Sequence, residues 1–199
     1  FIELRLGEGI QKYGAKEGTA IVSDPATGHI LAMATYPNYN PQARLGYDEK
    51  LYKNPAVGDT YEPGSTFKLF AAAAALDLSL VRPATRCPIC SGPREIGGFE
   101  ISTWNKKYYK DSTLGEILQH SDNVGITYIA DQLGIDNLFA YIKKFGFGEL
   151  TGIDLQGEAT GNIREKDQWR PIDLATASFG QGLAVTGIQM VQAVSVFAN

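Results

Sequence analysis

The sequence predicts a mixed α/β domain of the α+β type, and three observations carry that prediction. Two short apolar segments, Gly18 to Asp24 and His29 to Thr35, flank the turn-forming run Pro25-Ala-Thr-Gly28, the composition of an antiparallel hairpin. Five consecutive alanines, Ala71 to Ala75, sit within Thr66 to Leu80 and give it high helix propensity with no polar face over its first turns, so this segment reads as a buried helix. A series of capped, periodic segments then runs to the C-terminal end.

The remaining elements follow in order. Phe1, Ile2, Leu4 and Leu6 open the chain in mid-pattern, and the helical pattern of Val191 to Ala198 still continues at Asn199, so a fragment of a longer protein is expected. Tyr36 to Tyr61 is rich in Pro, Asn and Tyr and predicts a long irregular loop. Its tyrosines, Tyr36, Tyr39, Tyr47, Tyr52 and Tyr61, read as loop packing rather than a ligand cage. Thr113-Leu-Gly-Glu116 has capping-box spacing and opens a short helix, and Val124 to Leu133 is another that Gly134 can end. Asp136 to Phe145 is amphipathic, acidic at its start, with Lys143 and Lys144 near its end and Gly146 just beyond. Asp173 to Phe179 and Thr186 to Phe197 predict two more helices.

Composition narrows the function classes. With 199 residues, 44% hydrophobic and 20% charged, the chain can bury a sizeable core, which excludes a disordered, collagenous or disulfide-dense polypeptide. Eighteen Lys and Arg against 22 Asp and Glu give a net charge of −4, so no nucleic-acid partner is expected. The longest apolar run, Leu69 to Leu76, falls far short of the roughly 18–20 residues that span a bilayer.

Glu62-Pro-Gly-Ser-Thr-Phe-Lys68 is the most informative stretch. Pro63 and Gly64 make a tight entry, which places Ser65 at the first turn of a helix, where unpaired N–H groups favour a developing alkoxide. Lys68, three residues on, shares that face, so its amine can reach the Ser65 hydroxyl. Phe67, Leu69, Phe70 and the alanines around it desolvate the amine, which favours its neutral, basic form. The plain alternative is that Ser65 caps a helix and Lys68 snorkels to solvent. Ser121-Asp122-Asn123, in a turn between two helices, shifts the balance. S-x-x-K followed by S-D-N is two thirds of a signature completed by K-T-G in class A β-lactamases and penicillin-binding proteins.

The ordered blocks go further. They are Gly18 to Pro37, Tyr61 to Lys68, Ser121-Asp-Asn-Val-Gly125, Phe145-Gly-Phe-Gly148, Thr151 to Leu155 with Gly157-Glu158, and Ser178-Phe-Gly-Gln-Gly182 with Val185-Thr186. Over nearly its whole length the chain resembles the transpeptidase domain of class B penicillin-binding proteins, and within them the division-type members. The resemblance implies helices, one of them the buried Ser65 helix, covering both sides of an antiparallel sheet that is present here only in its first hairpin. It implies a serine D,D-transpeptidase in which Ser65 attacks the D-Ala-D-Ala carbonyl of a peptidoglycan stem peptide and Lys68 accepts its proton. Ser121 relays a proton to the leaving amine, Asn123 holds both substrate and Lys68, and Gly180, Gln181 and Gly182 bind substrate. β-Lactams would acylate Ser65, and neither metal nor organic cofactor is called for. A serine β-lactamase and a non-enzymatic β-lactam sensor are the alternative readings.

The resemblance also implies an N-terminal membrane anchor and a non-catalytic pedestal domain outside residues 1–199, and a location on the extracytoplasmic face of a bacterial membrane. A membrane glycosyltransferase and division proteins would be partners. No Lys here is followed by Thr-Gly or Ser-Gly, so the carboxylate-binding strand is expected beyond the chain, and the 199 residues alone are expected to be inactive. Val185-Thr-Gly187 is no substitute, since it matches the start of the family's next helix. Glu158-Ala-Thr-Gly-Asn162 has the spacing of the deacylating Glu of class A β-lactamases, but it overlaps the penicillin-binding block and reads as a glycine-bounded loop. Cys87-Pro-Ile-Cys90 admits half a zinc site, a redox pair, or a local disulfide. The disulfide is favoured because no other cysteine exists, His29 and His120 are remote in sequence, and the implied compartment is oxidising. Trp104, Tyr108 and Tyr109 with Lys106, Lys107 and Lys110 read as ordinary surface rather than a glycan-binding face.

Overall fold

The computed structural model describes residues 1–40, 42 and 48–199. In chain order its elements are α1 (Ile2–Tyr13), β1 (Gly18–Ser23), β2 (Ile30–Tyr36), α2 (Pro55–Gly58), β3 (Thr60–Tyr61), α3 (Lys68–Asp77), β4 (Arg94–Ile96), β5 (Phe99–Ile101), α4 (Leu114–Gln119), α5 (Asn123–Lys144), α6 (Pro171–Ser178), β6 (Val185–Thr186) and α7 (Gly187–Ser195). The chain forms two compact units, one of residues 1–61, 146–161 and 185–199 and the other of residues 62–145 and 162–184.

In the first unit, β1 and β2 form the expected antiparallel hairpin. Its turn is held by the Asp24 carboxylate, which accepts bonds from the Ala26 N–H (3.0 Å) and the Thr27 hydroxyl (2.8 Å). Strand alternation divides the hairpin into two faces. The paired Ile21 and Met33 face Ala56, Val57 and Ile188, of α2 and α7. Gly18, of opposite parity, lies so close to Leu6 and Ile10 of α1 that an added Cβ would stand 2.9 Å from Ile10. Helices therefore cover both faces, as expected, but they are α1, α2 and α7, while the Ser65 helix expected among them packs on α5 of the second unit. The apolar residues that open the chain belong to α1, which ends at Gly14 in the left-handed region (φ 62°).

Within 36–61, the described residues 48–61 hold more regular structure than the composition predicts. Asp48 and Asn54 each cap a short helical turn through their side chains, at Glu49–Tyr52 and at α2, and Pro55 opens the latter. β3 pairs with β6. Elements of two to four residues show no periodicity in sequence, and of these α2 is held by the burial of Ala56 and Val57. Tyr39 packs edge-on against Tyr52 at 4.9 Å, while Tyr47 lies outside the described residues.

In the second unit, α3 buries Phe70, Ala71, Ala72, Ala74 and Ala75, and its small side chains let α5 pack closely. The capping box of α4 forms as expected: the Thr113 N–H donates to Glu116 at 2.7 Å and the Thr113 hydroxyl oxygen accepts from the Glu116 N–H at 3.3 Å. The two helices expected on either side of Gly134 form the single element α5, broken at that glycine (φ 71°, ψ 168°). α6 starts two residues earlier than expected, because Pro171 occupies its first position and the Asp173 carboxylate accepts the Arg170 N–H at 2.8 Å.

The sheet content exceeds one hairpin. Besides β1–β2 and β3–β6 there is a β4–β5 hairpin turning on Gly97-Gly98, both at positive φ, a signal the sequence reading passed over. Cys87 and Cys90 are joined in the favoured disulfide. Among the described residues no helix is long and apolar enough to cross a membrane.

Candidate active site

Ser65 is exposed in a 3-10 turn, Gly64–Phe67, that runs directly into α3, one turn tighter than the α-helical start the spacing predicts. Lys68 begins α3 and is 1% exposed, in a stretch where Phe67 and Phe70 are buried as well. Its ammonium donates three hydrogen bonds: to the Ser121 carbonyl oxygen at 2.6 Å, to Ser121 Oγ at 3.0 Å and to Asn123 Oδ1 at 2.7 Å. The Ser121 hydroxyl in turn lies 2.8 Å from Ser65 Oγ. The amine thus reaches the serine through Ser121, where the sequence suggested direct contact, because the turn at Ser121–Asn123 takes all three of its donors.

That turn is built to present both its backbone and its side chains. Ser121 adopts φ 53°, a left-handed conformation costly for serine, which directs its carbonyl and hydroxyl oxygens to one amine. Asp122 caps α5, its Oδ1 accepting from the N–H groups of Val124 (2.8 Å) and Gly125 (3.0 Å). The Asn123 amide is oriented by donating to the Ser102 carbonyl at 3.0 Å. Burial pulls the Lys68 ammonium from its ordinary 10.5 down to about 8, against an opposing pull from the Asp122 carboxylate.

Gly180, Gln181 and Gly182 also arrive beside the serine turn. The Gly64 N–H donates to the Gly180 carbonyl at 3.0 Å, and the Gly182 N–H donates to Glu62 Oε1 at 2.8 Å. Gly180 (φ 75°) has no room for a side chain, since a Cβ would stand 2.3 Å from the Gly64 oxygen. Gln181 is exposed, its N–H bonded to the Thr176 carbonyl.

Other sequence candidates take structural positions. Glu158 Oε1 accepts from the Thr151 N–H at 2.8 Å, in a loop whose Gly152, Gly157 and Gly161 all have positive φ, as the glycine-bounded reading expects. Thr186 caps α7, accepting from the Gln189 N–H at 3.3 Å. Trp104 is exposed, whereas Tyr109 stacks on His120 with ring centroids 4.0 Å apart. Sequence reasoning missed the Ser102 carbonyl, which belongs to no motif, and the Glu62 clamp. It also missed the Asp122 cap, which an Asp one residue before a helical pattern signals.

The family model of the penicillin binding protein transpeptidase domain matches residues 18–199. The chain is 39% identical over its whole length to stage V sporulation protein D of Bacillus subtilis, covering 31% of it. It is 36% identical over 89% of the chain to the peptidoglycan D,D-transpeptidase FtsI of Escherichia coli, covering 30% of that protein. The apo transpeptidase domain of Burkholderia pseudomallei penicillin-binding protein 3 superposes with a TM-score of 0.86 at 30% identity, over 98% of this chain and 54% of that one. This chain belongs to the penicillin-binding protein transpeptidase family. It spans about a third of the length of these curated relatives.

Proposed function

We propose that the chain carries the nucleophile half of a serine D,D-transpeptidase that cross-links peptidoglycan stem peptides, in a division-type penicillin-binding protein. The observation that carries this is the continuous link from the exposed Ser65 hydroxyl through Ser121 to the buried Lys68 amine. With its proton affinity lowered to about 8, a fraction of Lys68 on the order of a tenth is neutral at pH 7. That amine takes the Ser65 proton by way of the Ser121 hydroxyl as the Ser65 oxygen bonds to the D-Ala-D-Ala carbonyl carbon. The Ser65 N–H donates to the oxyanion. The C–N bond then breaks, Ser121 gives its proton to the departing D-alanine amine, and Lys68 replenishes Ser121. An acceptor amine on a neighbouring strand attacks the acyl-enzyme and releases Ser65.

In this reading Asn123 and the Gly180–Gly182 loop hold the peptide, and a β-lactam enters as a mimic of D-Ala-D-Ala. The rest of the protein supplies a K-T-G strand for the terminal carboxylate, a pedestal domain and a membrane anchor. It acts on the extracytoplasmic face, beside a membrane glycosyltransferase and division proteins. The tie of Glu158 to Thr151 in its loop supports transpeptidation over β-lactam hydrolysis.

The test is the intact mass of the full-length protein sampled over hours with benzylpenicillin. One lasting adduct, absent from Ser65→Ala, is expected. Drug consumed without an adduct would favour the hydrolase. Neither adduct nor consumption would remove Ser65 as the nucleophile.

A further inference from the structure

Asp122 lies between Ser121 and Asn123, both of which hold the Lys68 amine, and it is 1% exposed. Its Oδ1 is occupied by the two N–H groups it caps, while its Oδ2, also buried, has no hydrogen-bond partner among the described residues. A cap alone needs one acceptor oxygen, and Ser, Thr or Asn would serve it without burying a charge. No contact ion pair joins Asp122 to Lys68, but both are 1% exposed and the residues on either side of Asp122 bond the amine, and charges so buried are little screened.

Among the described residues, Asp122 is the one charge that bears on the Lys68 amine. The groups that touch the amine or its partners, Ser65, Ser102, Ser121 and Asn123, are neutral. The acidic groups of the packed elements are engaged elsewhere: Asp77 with Tyr141 and Lys144, Glu116 in the α4 cap, Asp131 with Arg94, Asp136 with Lys166, Asp173 with Arg164 and Arg170, and Glu62 with Gly182. Tyr109 stacks on His120 next to the turn.

We propose that Asp122 is a positioning residue that sets how firmly Lys68 holds its proton, acting through the field of its buried carboxylate rather than by contact. Asp122 keeps Lys68 charged and triply bonded at rest, and so governs the pH at which the amine becomes a base. The consequence for acylation rests on the transpeptidase reading above; the effect on the Lys68 proton does not.

The test uses the full-length protein with Asp122→Asn and Asp122→Ser, each of which keeps a capping oxygen and removes the charge. The Lys68 titration is followed by NMR of its side-chain carbon beside the nucleophile, and the second-order rate of benzylpenicillin acylation is measured from pH 6 to 10. Both variants are expected to lower the Lys68 midpoint and to speed acylation on the acid limb by roughly threefold to tenfold, as expected for loss of a nearby buried charge. A Lys68 midpoint unmoved in both folded variants overturns the proposal and leaves Asp122 a cap. A lowered midpoint in a protein that acylates at no pH upholds it and overturns the transpeptidase reading instead.

Discussion

Lys68 concentrates the proposed chemistry at one residue, because the burial that lowers the proton affinity of its amine also makes its charged form costly. Three hydrogen bonds offset part of that cost. Two results follow at this scale. Acylation of Ser65 is expected to rise with pH to a plateau beginning near about 8, and Lys68→Arg, always charged, is expected to lose on the order of 10²-fold or more in rate at pH 8. Stopped-flow penicillin binding across pH measures both. The same shift bears on stability. The folded protein gives up the Lys68 proton more readily than the unfolded chain, so between about 8 and the ordinary 10.5 the unfolded chain binds more protons, and the Lys68 contribution to stability rises with pH across that window. At Gly180 the argument is steric. Gly180→Ala drives a Cβ into the Gly64 backbone at a positive φ and is expected to destabilise by about 2–3 kcal/mol in urea unfolding, and to slow acylation by displacing the serine turn.

Among the elements, α5 shows how a helix is started, broken and packed by separate devices. Asp122 starts it, and Gly134 breaks it at a φ/ψ that is nearly exclusive to glycine. Nothing lies within 4 Å of a Cβ added at Gly134, whereas one at Gly125 would stand 2.5 Å from Ile117 of α4. Gly134→Ala is therefore expected to cost about 1–3 kcal/mol through the backbone alone. Gly125→Ala is expected to force α4 away from α5 and weaken the serine–lysine link as well; thermal unfolding together with penicillin labelling separates the two effects. Thr113→Ala, which removes the α4 capping box, is expected to cost about 1 kcal/mol and leave labelling intact.

For the molecule as a whole, the chain spans about a third of the length of its curated relatives, and in the function proposed above the rest of the protein binds the other end of the substrate. If the K-T-G strand belongs to that remainder, residues 1–199 expressed alone are expected to form no benzylpenicillin adduct under conditions where the full-length protein is labelled. Gel-based labelling with a fluorescent penicillin compares the two directly. Equal labelling would mean that the nucleophile, its relay and the glycine loop suffice for acylation.

The sequence alone determined the local chemistry. The i, i+3 spacing of Ser65 and Lys68, the alanine-rich burial of that helix, the hairpin around Pro25 to Gly28, the α4 capping box and the break at Gly134 are all properties of neighbouring residues, set by helix periodicity, side-chain caps and glycine's freedom at positive φ. The order of the sequence blocks made Ser121, Asn123 and the Gly180–Gly182 loop legible by resemblance. Tertiary structure decided who meets whom. Lys68 bonds residues 53 and 55 positions away, Asn123 is oriented by a carbonyl 21 positions back, and Glu62 clamps a loop 120 positions on. Such partners depend on how α3, the turn before α5 and the glycine loop pack in three dimensions. That packing is a sum over many buried contacts, and no short stretch of sequence encodes it.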